Sequence, residues 1–161
     1  MHVRLARSAD AEPIRTIYNA EVTGSTATFD LVPRTGDEQI LWLRDHRGPY
    51  PAVVAVDEDL VLGFGSLSVF RDRPAYATTV EDSVYVDRSH RGRGVGRLLL
   101  DELITLATRH GFHCIVARIG GDNTASIGLH EACGFRTVGI EREVGRKFNR
   151  WQDVVVLQRL L

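Results

Sequence analysis

Val80-Glu81-Asp82-Ser83-Val84-Tyr85-Val86 and, four residues later, Arg91-Gly92-Arg93-Gly94-Val95-Gly96-Arg97 decide how the rest of the chain is read. In the first stretch Val80, Val84 and Val86 fall on one side of an extended chain and Glu81, Ser83 and Tyr85 on the other, which with its β-branched content predicts a strand. From Gly94 onward Val95, Leu99, Leu103 and Leu106 or Ala107 recur at helical spacing, widened by Leu98 and Ile104, until His110-Gly111 supplies a stop. Between strand and helix, alternate glycines sit among Arg88, Arg91, Arg93 and Arg97. Glycine lets the backbone curl so that its N–H groups converge at the helix N-terminus, a place that suits phosphate. Arg97 stands where a dinucleotide loop needs its third glycine, and no Lys-Ser/Thr pair follows to make a triphosphate loop. A flexible, solvated turn is the other reading of Gly-x-Gly alone; the arginine density favours an anion, and the whole unit reads as a site for a pyrophosphate-bearing cofactor.

The 161 residues are the length of one domain, 1–161, and 43% hydrophobic content suffices for a packed core. Twenty basic against twenty-one acidic residues give a formal net charge of −1, so no whole-protein field favours nucleic acid or an anionic membrane. No apolar run is long enough to span a bilayer and the N-terminal residues are polar, so a cytoplasmic protein is expected. Cys114 and Cys133 lack metal-ligand spacing and read as small buried hydrophobes; no metal is expected. The alternative for Cys133 is a nucleophile activated by His130, three residues before it.

Taken in order, residues 3–7 alternate as a first strand, and Ser8 or Asp10 can cap a helix carrying Ile14, Ile17, Tyr18 and then Ala20 or Glu21. Residues 23–30 are a loop by composition, ending in Thr28-Phe29-Asp30. Residues 37–46 carry a second helix pattern; residues 51–56 and 60–69 read as an antiparallel hairpin with Gly63 and Gly65 as bulge or close-approach points. Residues 70–77 form a proline-broken loop bearing Arg71, Arg73 and Tyr76. After the central helix, residues 113–119 are a strand that completes a βαβ unit, and Asn123 can cap a helix running from Thr124 to Cys133. Residues 137–143 and 151–160 are two closing strands around a connection at 145–150.

Several of these segments together resemble the GNAT superfamily of acetyltransferases. Arg91-Gly92-Arg93-Gly94-Val95-Gly96 is similar to that family's Q/R-x-x-G-x-G/A cofactor loop. Thr79 through Val86, Leu129-His130-Glu131 through Gly134-Phe135, and Gly145-Arg146-Lys147-Phe148 with Trp151-Gln152-Asp153 resemble its phosphinothricin and methionine sulfoximine N-acetyltransferase branch. Asn149 departs from the branch pattern, where a glycine is usual. The resemblance implies an α/β (α+β) GNAT fold, a mixed sheet of about seven strands flanked by about four helices. It implies acetyl-CoA held by residues 84–86 and 91–97 together with Asn123 and Ser126. It also implies an acceptor site walled by Thr28 and Phe29 and gripped by Arg71, with Arg73 as rival, and Tyr76, and a homodimer whose partner helps close the pocket.

The chemistry has its own demands. An alkylammonium with a pKa of about 10 must lose a proton before its nitrogen attacks a thioester. Glu81, on the face shared with Ser83 and Tyr85, is the carboxylate positioned to take it, and the family match puts the catalytic glutamate there too; a solvated strand-end glutamate is the alternative. Backbone N–H groups of residues 84–86 can hold the oxyanion where sheet pairing lapses. His130 reads either as a relay to Glu81 or as a structural histidine. Direct transfer to a small-molecule amine bearing a carboxylate is the leading expectation, because Arg71, Arg73, Lys147 and Arg150 fall on the presumed acceptor side. A protein acetyltransferase and a silent acetyl-CoA sensor are the rivals.

Overall fold

The computed structural model describes residues 1–161. Seven strands and four helices follow one another as β1 (His2–Leu5), α1 (Ala11–Gly24), α2 (Gly36–Asp45), β2 (Ala52–Asp57), β3 (Leu60–Val69), β4 (Thr79–Val86), α3 (Val95–Arg109), β5 (Cys114–Gly120), α4 (Thr124–Ala132), β6 (Arg136–Lys147) and β7 (Arg150–Leu160). The strands form one mixed sheet in the order β1-β2-β3-β4-β5-β7-β6. Only β4 and β5 run parallel, as the α3 crossover between them requires.

Local chemistry explains most boundaries. Helix α2 begins with a capping box in which Thr35 Oγ1 accepts from Glu38 N–H at 3.2 Å and Glu38 accepts from Thr35 N–H at 2.8 Å. The cap expected for α1 is not made: Asp10 is buried and accepts instead from Arg4 at 2.7 and 2.9 Å and from Arg7 N–H at 2.6 Å. The Arg4 guanidinium, six residues earlier on β1, outcompetes the helix N–H groups for that carboxylate. Gly63 and Gly65 let α3 lie close on β3, since a Cβ would stand 3.2 Å from Leu99 at the first and 2.9 Å from Leu103 at the second.

Two cores result, one on each face of the sheet. Leu62, Val80, Leu99, Leu103 and Ile115 pack beneath α3, and Ile14, Ile17, Val54 and Phe64 beneath α1. Of the cysteines, Cys133 is buried as expected but Cys114 is only half-buried.

The connection expected at 145–150 is shorter than the sequence suggested. β6 continues to Lys147 and β7 starts at Arg150, leaving Phe148 and Asn149 as a two-residue turn with φ of 53° and 58°. Consecutive positive φ values match the twist of the flanking strands, and Asn tolerates that region better than most side chains. Arg146 donates to Asn149 Oδ1 at 2.6 Å, so the residue that replaces the family glycine is itself tied into the turn.

The feature that positions the site is a parting of strands. β4 pairs with β5 only at Thr79, Val80 and Glu81, whereas it stays paired with β3 as far as Val86. The β5-facing edge of β4 is therefore open from Asp82 onward. No helix is long and apolar enough to cross a membrane.

Candidate active site

A cavity of about 510 Å³ occupies the opening between the parted strands. Val84, Tyr85 and Val86 line it from β4, and Gly94 through Arg97 line it from the start of α3. Gly92 and Gly94 adopt φ of 73° and 83°, left-handed values that a side chain would strain. Leu98 is the first residue of α3 to donate within the helix, to Gly94 O at 3.1 Å, which leaves the N–H groups of Val95, Gly96 and Arg97 for whatever enters the cavity. A Cβ on Gly96 would sit 3.0 Å from Leu129, so glycine there also lets α4 close the far wall. Asn123 and Ser126 lie on that wall, and Asn123 Oδ1 caps α4 by accepting from Ser126 N–H at 3.2 Å. Replacing Gly94 by Val should therefore cost about 1–2 kcal/mol in backbone strain and turn the first N–H groups of α3, weakening binding of the expected pyrophosphate-bearing cofactor about tenfold or more by calorimetry.

The arginines of the loop divide. Arg91 borders the cavity, but its guanidinium donates to Glu21 at 2.8 Å; Arg97 borders it too and pairs with Asp101 at 2.8 Å. Arg93 is exposed and does not line the cavity. Glu21, near the end of α1, was missed by sequence reasoning and is the hub of this wall. It is 2% exposed and also accepts from Arg88 Nε at 2.9 Å and from the Ser25 hydroxyl. Burial opposes its charge, yet the bonds from Arg88 and Ser25 and the two guanidinium charges prevail and hold its carboxyl below the ordinary value. The signal was available: a glutamate in register with Ile14, Ile17 and Tyr18, close to a helix C-terminus where negative charge is disfavoured, needs a buried partner.

Glu81 is half-buried where β4 and β5 separate. Desolvation raises its pKa; the Arg118 charge opposes this, and Asp82 and Glu141 add to it. His130 is not beside Glu81. Its Nε2 lies 2.9 Å from Asp82 Oδ2 and its Nδ1 2.7 Å from the Ser126 carbonyl, because Asp82 projects from the face of β4 opposite to Glu81, toward α4. The relay to Glu81 is thus corrected to a buried Asp82–His130 pair that links β4 to α4. With both ring nitrogens occupied, and burial pushing the Cys133 thiol pKa up, the nucleophilic reading of Cys133 has no support.

In the loop between β3 and β4, Arg71 Nη1 lies 3.4 Å from Tyr76 Oη, and its guanidinium lies over Phe70 at 4.7 Å and Tyr76 at 5.3 Å. The Phe29 ring packs against Gly145, where a Cβ would come within 2.4 Å of it. Thr28 is buried with its hydroxyl 2.9 Å from Tyr18 Oη. Lys147, expected to face the acceptor, is buried instead and donates to the carbonyls of Thr28 at 2.7 Å and Glu21 at 3.3 Å. It ties the hairpin to the loop after α1, and burial lowers its pKa. No group of three or more His, Cys, Asp or Glu side chains is placed to hold a metal ion.

Comparison with known proteins accords with this geometry. The family model described as "Acetyltransferase (GNAT) family" matches residues 13–135. A phosphinothricin N-acetyltransferase of Streptomyces coelicolor is 41% identical, covering 100% of this chain and 96% of that protein. An L-methionine sulfoximine/L-methionine sulfone acetyltransferase of Salmonella typhimurium is 38% identical, covering 98% and 93%. The crystal structure of a phosphinothricin acetyltransferase from Sinorhizobium meliloti in complex with acetyl-CoA superposes with a TM-score of 0.95 at 40% identity, covering 99% of this chain and 87% of that one. The chain belongs to the GNAT family of acetyltransferases and is an acyltransferase.

Proposed function

We propose that the protein transfers the acetyl group of acetyl-CoA directly to the primary amine of a small, carboxylate-bearing, amino-acid-like acceptor of the phosphinothricin or methionine sulfoximine type, with Glu81 as general base. The observation that carries this reading is the parting of β4 from β5 just beyond Glu81, which leaves a half-buried carboxylate at the last paired position of β4, on the strand whose following residues Val84, Tyr85 and Val86 line the cavity. The residues fit the nucleotide-bearing thioester: the left-handed glycines and the N-terminus of α3 suit a pyrophosphate, and the open edge of β4 suits the amide-containing arm. When bound, acetyl-CoA supplies the activated acyl carbon.

The chain's own residues do the rest. Glu81 accepts a proton from the acceptor ammonium, directly or through a water molecule; its raised pKa makes it a stronger base than an ordinary glutamate. N–H groups on the unpaired edge of β4, among residues 84–86, hold the oxyanion of the tetrahedral intermediate. Arg71 and Tyr76 engage the acceptor's carboxylate and body, with Phe29 as an apolar wall. Asn123 and Ser126 steady the arm of the acyl donor from α4. The thioester-consumption rate over a panel of amines tests the reading: turnover with phosphinothricin or methionine sulfoximine well above that with peptide N-termini is expected, and the reverse order would overturn it.

A homodimer belongs to the same proposal and is supported by the outer strand. Val138, Ile140 and Val144 on the outer strand β6, with Trp151 on the neighbouring β7, are large apolar side chains left exposed by the chain's own packing. Sedimentation should give twice the 17.9 kDa chain mass for the wild type and the monomer mass for Ile140→Asp combined with Val144→Lys. A monomeric wild type would remove the dimer.

A further inference from the structure

Two side chains that neither the cofactor cavity nor the acceptor loop employs meet beside Glu81. Ser68 on β3 is the direct cross-strand partner of Glu81 on β4. The face they share is fixed further along the same ladder, where Phe64 stacks on Tyr85 with ring centroids 5.1 Å apart and Tyr85 packs edge-on against Tyr18 of α1 at 5.3 Å. Ser68 and Glu81 therefore both project toward α1 and α2. Directly opposed side chains of an antiparallel ladder have Cβ atoms about 4.5–5.5 Å apart, so a group bound by Glu81 lies within reach of Ser68.

His46, the residue that terminates α2, lies against Ser68. Its Nε2 is 3.2 Å from Ser68 Oγ, its Nδ1 is 2.7 Å from the Trp42 carbonyl, and its ring stacks on Trp42 with centroids 4.0 Å apart. A carbonyl can only accept, so Nδ1 carries the proton. Burial disfavours the imidazolium, so in the neutral ring Nε2 offers a lone pair. The hydrogen of the Ser68 hydroxyl is thereby drawn to His46, and the lone pairs of Oγ are what remain for the space next to Glu81.

We infer that Ser68 is an acceptor-binding residue, its hydroxyl proton committed to His46 Nε2 so that Oγ accepts an N–H of the attacking amine while Glu81 takes another. His46 is the positioning residue that sets this polarity, with Trp42 holding its ring. This rests on the reading of Glu81 as the base at the acceptor site. After one proton has passed from nitrogen to the Glu81 carboxylate, a primary amine keeps two N–H bonds and one lone pair. Anchoring one N–H on Ser68 Oγ restricts rotation about the C–N bond and aims that lone pair. A hydroxyl free to rotate would instead compete by donating to the Glu81 carboxylate and weakening the base.

The test is steady-state kinetics with acetyl-CoA and methionine sulfoximine varied separately, on Ser68→Ala, Ser68→Thr, His46→Phe and Glu81→Gln. Loss of one hydrogen bond to a charged or polarised partner should raise the acceptor KM of Ser68→Ala about tenfold with the acetyl-CoA KM unchanged. Ser68→Thr keeps the hydroxyl and should stay close to wild type. His46→Phe keeps a ring against Trp42 but removes the Nε2 lone pair, and should raise the acceptor KM in the same direction. An unchanged acceptor KM in Ser68→Ala, or equal losses in the Thr and Ala variants, overturns the inference. Normal turnover in Glu81→Gln would defeat the base assignment alone, whereas a dead Glu81→Gln beside an unaffected Ser68→Ala would defeat only the role of Ser68.

Discussion

Glu81→Gln is expected to lower turnover by about 10²–10⁴-fold, the range usual for loss of a general base, while acetyl-CoA binding measured by calorimetry stays within a few-fold of wild type. The amide is isosteric and preserves the strand, but it cannot take a proton from an ammonium. The pH profile sharpens the expectation. Desolvation raises the pKa of Glu81, so the base is ionised above that raised value and the rate falls as pH drops through it, on a limb lying above the ordinary glutamate range. In the Gln variant that acid limb should vanish from kcat/KM. Wild-type turnover in the variant, or an acid limb that persists unchanged, would remove Glu81 from the chemistry.

His130→Ala is expected to cost about 3–5 kcal/mol of folding stability, read by denaturant unfolding, because it strands the Asp82 carboxylate in the core. The two side chains are 4% and 1% exposed, and Asp82 Oδ1 has no hydrogen-bond partner, so the bond from His130 to Oδ2 is all that the carboxylate has. Asp82→Asn probes the same pair through pH. Burial pulls the His130 pKa down, but the hydrogen bond His130 donates to Asp82, the Asp82 charge and the Ser126 carbonyl outweigh this and leave it above the ordinary histidine value. A raised folded pKa gives stability that is fully present below the unfolded value and is lost as pH rises through the folded one. The stability gap between wild type and Asp82→Asn should accordingly be widest in mildly acidic solution and narrow in alkaline solution. A gap that is flat or widens with pH would mean that His130 is neutral in the fold.

The central unit was legible because its information is local. Alternation over residues 80–86, helical spacing from Val95 and alternate glycines each specify conformation within a few neighbours, and β4, the loop and α3 formed accordingly. The Asn123 cap is legible for the same reason, whereas the capping box of Thr35 and Glu38 lies partly outside the helix read at residues 37–46. What escaped was pairing across the chain. Glu21 meets Arg88 and Arg91, Asp82 meets His130, and Lys147 meets the carbonyls of Thr28 and Glu21 only once the sheet has brought distant segments together. A charged residue in a short motif looks solvated until its buried partner is known, so the sequence puts Lys147 on the presumed acceptor side and leaves His130 open between a relay to Glu81 and a structural role. The turn at Phe148 and Asn149 was hidden for a different reason, since no glycine marks its two left-handed residues.

The Glu81 face also shows what one strand can encode. Alternation sends Glu81, Ser83 and Tyr85 toward α1 and α2, and Asp82 toward α4, so adjacent carboxylates serve different ends. One is half-buried and desolvated without a fixed partner; the other is locked into the fold. Their roles follow from environment rather than residue type.

A crystal structure of the protein soaked with acetyl-CoA tests the central claim most directly. The expected result has pyrophosphate oxygens on the N–H groups of residues 95–97, the thioester against the open edge of β4, and the Glu81 carboxylate turned toward the acyl carbon. Phosphates bound away from the loop, or a Glu81 carboxylate directed away from the thioester, would contradict it.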